Sequence, residues 1–122
     1  MSDPARGRSP LQVSRYDMYA FFETNYEGTI LQTHNFTSDC EFNHVQLIEG
    51  DRVAILSDKV NNMFLRYNLD TRQTEWIAGG TLGTLELIDD DGTVHAAGDS
   101  LWFGQHNAEY FGNDEYFLFD DG

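Results

Sequence analysis

The chain has 122 residues, room for one domain, and its 40% hydrophobic and 14% aromatic content suits a packed core rather than a disordered segment. Seven Lys and Arg stand against 21 Asp and Glu, and the resulting formal charge of -14 argues against nucleic acid or an anionic membrane as a partner, since both repel an acidic surface. The single cysteine, Cys40, rules out an intramolecular disulfide and a cysteine-based zinc site.

Residues 1–14 combine Pro4, Gly7, Pro10, three serines and two arginines with little apolar content, which predicts a flexible leader, and residues 15–122 form the folded part. The same stretch has no apolar run of the kind that makes a signal peptide or a membrane anchor, and no compartment is assigned. From Tyr16 the aromatic and β-branched residues become dense. Tyr16 to Thr24 predicts a first strand, Glu27-Gly28 its turn and Thr29 to Phe36 a second strand. Asn35-Phe36-Thr37 is a formal glycosylation acceptor, relevant only in a secreted protein.

Next come His44 to Glu49, a Gly50-Asp51 turn, Arg52 to Ser57, Met63 to Asn68, a polar turn from Leu69 to Arg72, and Gln73 to Ala78. Such short strands joined by a few polar residues predict the up-and-down meander of one propeller blade rather than a sandwich with long crossings. Gly79-Gly80 interrupts the pattern. A further hairpin, Leu85 to Ile88 and Thr93 to Ala96, follows around Asp89-Asp90-Asp91-Gly92. The three aspartates lack the alternating ligand spacing of a calcium loop, so the stretch reads as a hairpin turn and no metal is assigned. No helical apolar period is present, and the predicted class is all-β, with antiparallel up-and-down sheets making a partial β-propeller of about two blades.

The C-terminal stretch LWFGQHNAEYFGNDEYFLFDDG carries the chemistry of interest: His106 behind Gln105, a strand, a Gly112-Asn113-Asp114 turn, a second strand from Glu115 to Phe119, and closing aspartates. Laying His44 on His106 also superposes Gly50 on Gly112, Asp51 on Asn113, Leu56 on Leu118 and Asp58 on Asp120, an internal repeat of 62 residues. Each copy reads histidine, strand, turn, strand, aspartate.

At WIAGG, SLWFGQHNAEYFGNDEYFLFDDG and FNHVQLIEGDRVAILSDKVNN the chain resembles the arylsulfotransferase family of six-bladed β-propellers, over roughly residues 42–122. The resemblance implies transfer of a sulfuryl group from an aryl sulfate donor to a phenolic acceptor, without a cofactor, through His106 as a transient carrier of the group. The family's His-x-Asn and Ser-x-Arg motifs find Asn43 and Ser57 in place, but Glu41 stands where the histidine is expected and Lys59 where the arginine is expected. Lysine keeps the charge but loses the planar fork that suits a pair of sulfate oxygens. His44, next to Asn43 and equivalent to His106 by the repeat, is the stand-in for the missing histidine.

A sulfuryl group attacked by nitrogen requires a neutral imidazole, and the ordinary histidine pKa of about 6.5 supplies one at neutral pH. Its anionic oxygens require donors, for which Lys59 and Asn43 are the candidates, with Gln105 orienting the imidazole or contacting the substrate. Trp102 and Tyr110, together with Phe103 and Phe111, are the aromatic candidates for a phenol-binding wall. About two blades cannot close a ring, so other blades or chains are expected to complete the site. Two alternatives stand beside transfer: a non-catalytic, kelch-like binding module in which Tyr67, Trp76 and Trp102 are blade residues, and hydrolysis of the sulfate ester by water.

Overall fold

The structure, a computed structural model, describes residues 12–17, 20–36 and 40–120; the side chains of residues 12–17, 106 and 107 lie outside the description, as do residues 1–11 of the expected leader and Thr37 of the acceptor tripeptide. The protein is all-β with antiparallel sheets, a partial propeller-like fold without a helix among the described residues. Strands β1 (Gln12–Asp17), β2 (Ala20–Thr24) and β3 (Ile30–Asn35) form one sheet, and β4 (Phe42–Ile48), β5 (Val53–Asp58), β6 (Met63–Asn68) and β7 (Gln73–Ala78) form the second. A small hairpin of β8 (Leu87–Ile88) and β9 (Val94–His95) precedes the pair β10 (His106–Gly112) and β11 (Glu115–Phe119).

The four-stranded meander matches the expected blade strand for strand. The N-terminal sheet differs: β1 starts inside the segment expected as leader, and the stretch expected as one strand from Tyr16 to Thr24 is divided between β1 and β2, which pair Asp17 with Ala20. Asp17 stands there without a glycine, proline or asparagine beside it, a weak turn signal inside an aromatic run.

Elsewhere the turns follow side-chain chemistry. Asn25 Oδ1 accepts from the amides of Glu27 and Thr29, Asn68 Oδ1 from those of Asp70 and Thr71, and Asp89 Oδ1 from those of Asp91 and Thr93. The loop between β10 and β11 holds Asn113 and Asp114 at φ 54° and 60°, the left-handed pair that matches strand twist in a two-residue hairpin.

The central strand explains the layering. Every residue of β5 is buried, because its two faces look into different apolar layers. Ala54 and Leu56 pack with Phe21, Cys40, Phe42, Leu65 and Tyr67 on the side of the first sheet. Ile55 packs with Phe64, Ala78 and Ala108 on the other, against Tyr110, Tyr116 and Leu118 of the last hairpin. Three sheets therefore stack face to face with β5 in the middle, the arrangement in which alternate residues of one strand serve two cores.

A polar knot lies within the first layer. His34, fully buried and assigned no role from sequence, places Nε2 2.5 Å from Glu23 Oε2 and Nδ1 2.9 Å from the Tyr67 hydroxyl, under the ring of Phe21 at 4.8 Å. Arg52 Nη1 donates to the other Glu23 oxygen at 3.3 Å. Burial alone pushes the Glu23 carboxyl up, but the hydrogen bond from His34 and the charges of His34 and Arg52 outweigh it and hold the group below its ordinary value. A depressed folded pKa contributes stability above the unfolded value of about 4.3 and loses it as pH falls through the folded value. Urea unfolding of the wild type is expected to weaken across that acid window, and Glu23→Gln is expected to be less stable at neutral pH with a flatter pH dependence there; parallel curves for the two proteins would contradict this.

Candidate functional site

The site builds from the contact between β4 and β10. Both strands begin with an irregularity: the register shifts between Phe42 and His44 in β4, and between His106 and Glu109 in β10. Their closing aspartates act alike too. Asp58 Oδ2 accepts from the Glu41 amide at 2.9 Å, and Asp120 Oδ1 accepts from the Phe103 amide at 3.1 Å, donors and acceptors each 62 residues apart. In the same way His44 pairs with Ser57 and His106 with Phe119. The repeat seen in sequence is thus a repeat of hydrogen bonding.

The two copies are sewn together by amides. Asn43 Nδ2 donates to the Gln105 carbonyl at 3.2 Å. Gln46 grips Tyr110 at both backbone groups, accepting from its amide at 2.7 Å and donating to its carbonyl at 3.2 Å. Gln105 is fully buried, and its Nε2 reaches Ser57 Oγ at 3.1 Å, the Asp58 carbonyl at 3.0 Å and the Met63 carbonyl at 2.6 Å. Its Oε1 has no partner among the described residues, and neither has the shielded Nε2 of half-buried His44.

The expected site residues fall into three groups. Asn43 and Gln105 meet, and His44 and His106 occupy equivalent register positions on the two adjacent strands, the side chain of His106 lying outside the described residues. Lys59 is exposed in the turn after β5, one residue past the Phe42 and Asp58 pair and so at the same end of the sheet as Asn43. Trp102 and Tyr110 belong to the apolar layer behind: Trp102 lies 5.4 Å from the Phe64 ring and Tyr110 5.0 Å from Tyr116, both half-buried. The indole Nε1 of Trp102 is buried without a partner among the described residues.

Among the cations of the described residues, Lys59 stands apart. Arg52 binds Glu23 and Asp70, Arg66 binds Glu49 and Glu75, and Arg72 binds Gln32 and the Thr33 carbonyl. For Arg66 the two carboxylates outweigh burial and hold the guanidinium above its ordinary value. Lys59 has no such contact among the described residues, which leaves its ammonium available to an anion.

The aspartate run forms the β8 and β9 turn, with carboxylate oxygens within 4.8 Å of one another and Asp89 Oδ2 held by His95 Nε2 at 2.9 Å. That bond is the first cause of the lowered Asp89 pKa. Sequence reasoning missed Gln46, whose signal was a lone amide in the otherwise apolar end of FNHVQLI, and missed that the Gln105 side chain spends its donors within the fold.

Comparison of the sequence with family models, with curated proteins and with solved structures finds no match.

Replacing Gln105 by leucine removes the donor from three buried acceptors. With an unmade buried hydrogen bond costing about 1–3 kcal/mol, Gln105→Leu is expected to lower unfolding stability by at least that much. Chemical denaturation would measure it, and a loss below about 0.5 kcal/mol would show that the seam does not depend on this side chain.

Proposed function

We propose that the seam between β4 and β10 is part of a sulfuryl-transfer site of the arylsulfotransferase type. The observation that carries the reading is the side-by-side placement of the two strands through Asn43, Gln105, Gln46 and Tyr110, which sets His44 and His106 in equivalent positions at one end of the stacked sheets. Two of the three stretches that resemble the family contain these strands, and the third, WIAGG, ends β7.

In this reading an imidazole nitrogen of His106 attacks the sulfur of an aryl sulfate. The N–S bond forms as the bond from sulfur to the aryl oxygen breaks, and a phenolate leaves. An acceptor phenol, its proton passing to the phenolate that left, then attacks the same sulfur, and the N–S bond breaks to restore the neutral imidazole. The sulfuryl oxygens stay anionic throughout, so Lys59 supplies positive charge and Asn43 a polar contact. Gln105 acts by fixing the backbone that carries His106 and by holding Asn43 through its carbonyl. Trp102 and Tyr110 offer their uncovered ring area to the phenolic groups. Other blades or chains supply the remaining walls, and the chemistry needs neither metal nor cofactor.

A second reading, a non-catalytic kelch-like binding module, is favoured by where the large rings sit. Tyr67 lies in the first apolar layer, and Trp76 and Trp102 flank Phe64 at 5.7 and 5.4 Å in the second, positions that hold sheets together.

Incubation with an aryl sulfate and a phenol separates the readings. Transfer is expected in the wild type, with a loss of about 10³-fold or more in His106→Ala and a smaller loss of about 10–100-fold in Lys59→Ala. Turnover that survives His106→Ala removes the transfer mechanism, absence of turnover in every form leaves the binding module, and product release that ignores the acceptor marks hydrolysis by water.

A further inference from the structure

The last hairpin has one covered face and one open face. Tyr110, Tyr116 and Leu118 point into the apolar layer shared with the four-stranded sheet, whereas Phe111, Phe117 and Phe119 are about two-thirds exposed, at 65%, 66% and 67%. Phe111 and Phe117 stack at 4.7 Å. With Glu109, Leu118 and Asp120 the three phenylalanines line an open depression of about 460 Å³. Beside it β11 pairs only with β10 among the described strands, so one row of its backbone donors and acceptors is open.

The repeat indicates what fits there. By the 62-residue offset Phe117 corresponds to Ile55 and Phe119 to Ser57. In the complete sheet the edge of β5 is filled by β6, which sets Arg66 opposite Ile55 and Phe64 opposite Ser57, on the face that looks toward the next sheet. The corresponding added strand would place a cation over the Phe111 and Phe117 rings and an aromatic ring beside Phe119.

Charge selects the same occupant. No lysine or arginine follows Arg72, whereas eleven aspartates and glutamates do, among them Glu109, Asp114, Glu115 and Asp120 around this surface. A second copy of the chain would bring these carboxylates against their own kind, and an acidic partner would do the same. A basic one gains from the carboxylates and from cation–π contact with the rings.

We propose that the open edge of β11 and its phenylalanine face dock an extended, basic segment of another protein, which adds as an antiparallel strand with arginine or lysine opposite Phe117 and an aromatic residue opposite Phe119. The mode is strand addition: main-chain bonds along β11 supply affinity, and the alternate side chains supply selection. The surface is distinct from the seam proposed for sulfuryl transfer, and its occupancy does not depend on that chemistry.

The probe is a synthetic peptide with the sequence of β6, Met-Phe-Leu-Arg-Tyr-Asn, titrated into the isotope-labelled whole chain and followed by amide chemical shifts. Saturable shifts centred on Glu115–Phe119 are expected. Affinity is expected to fall about tenfold or more in Phe117→Ser, with the fold checked by unshifted signals from β5 and β6, and also when the peptide carries glutamate in place of its arginine. No shift in β11, equal binding of the glutamate peptide, or equal binding by Phe117→Ser would overturn the proposal. So would β11 shifts that grow with protein concentration in the absence of peptide, because the occupant would then be a second copy of the chain.

Discussion

The arrangement of this protein depends on one constraint: β5 has no solvent side. A strand whose every residue is buried must be covered twice, once through Ala54 and Leu56 and once through Ile55. The first sheet and the last hairpin exist, in energetic terms, to supply those two covers. Burial of this kind has no direction of its own. The direction comes from amides. Asn43, Gln46 and Gln105 place a few strong, oriented bonds between layers that packing alone would allow to slide, and the knot of Glu23, His34 and Tyr67 performs the same service on the opposite side. The two layers are thus registered by different chemistry, neutral amides in one and a buried carboxyl group hydrogen-bonded to an imidazole in the other.

Much of the fold was legible in the residues. Met63–Asn68, Gln73–Ala78 and Glu115–Phe119 fall where alternation and turn chemistry predict them, and the asparagines and aspartates that bound the strands do close the turns. The N-terminal sheet was less legible, since between β1 and β2 Asp17 stands without a glycine, proline or asparagine beside it. The hairpin of β8 and β9 is shorter than the sequence predicts, and the amide of Leu85, in the expected first strand, donates to the Ile77 carbonyl instead.

The repeat was legible in the sequence, but not the contacts between its two copies. The 62-residue repeat makes His44 and His106 equivalent, and the matching pairs His44 with Ser57 and His106 with Phe119, together with the two aspartate bonds, give that equivalence a physical meaning. A repeat cannot reveal which amide crosses between copies. Gln46 and Gln105 look alike on paper, yet one holds a neighbouring strand by its backbone and the other ties off Ser57, Asp58 and Met63. Likewise Trp102 and Tyr110 stand near His106 in the chain, and the fold turns them toward Phe64 and Tyr116 in the second apolar layer.

The WIAGG segment leads to a conclusion of a different kind. Gly79 and Gly80 adopt φ of +84° and +73°; a methyl group at Gly79 would come within 2.6 Å of the Asn62 carbonyl and 2.7 Å of the Trp102 ring, and one at Gly80 would strike the Asn61 carbonyl. Two of the most recognisable letters in the chain are therefore spelled by crowding rather than by reactivity. A chain with no chemistry at all would need them just as much, so they answer to the shape of the scaffold and are silent about its employment.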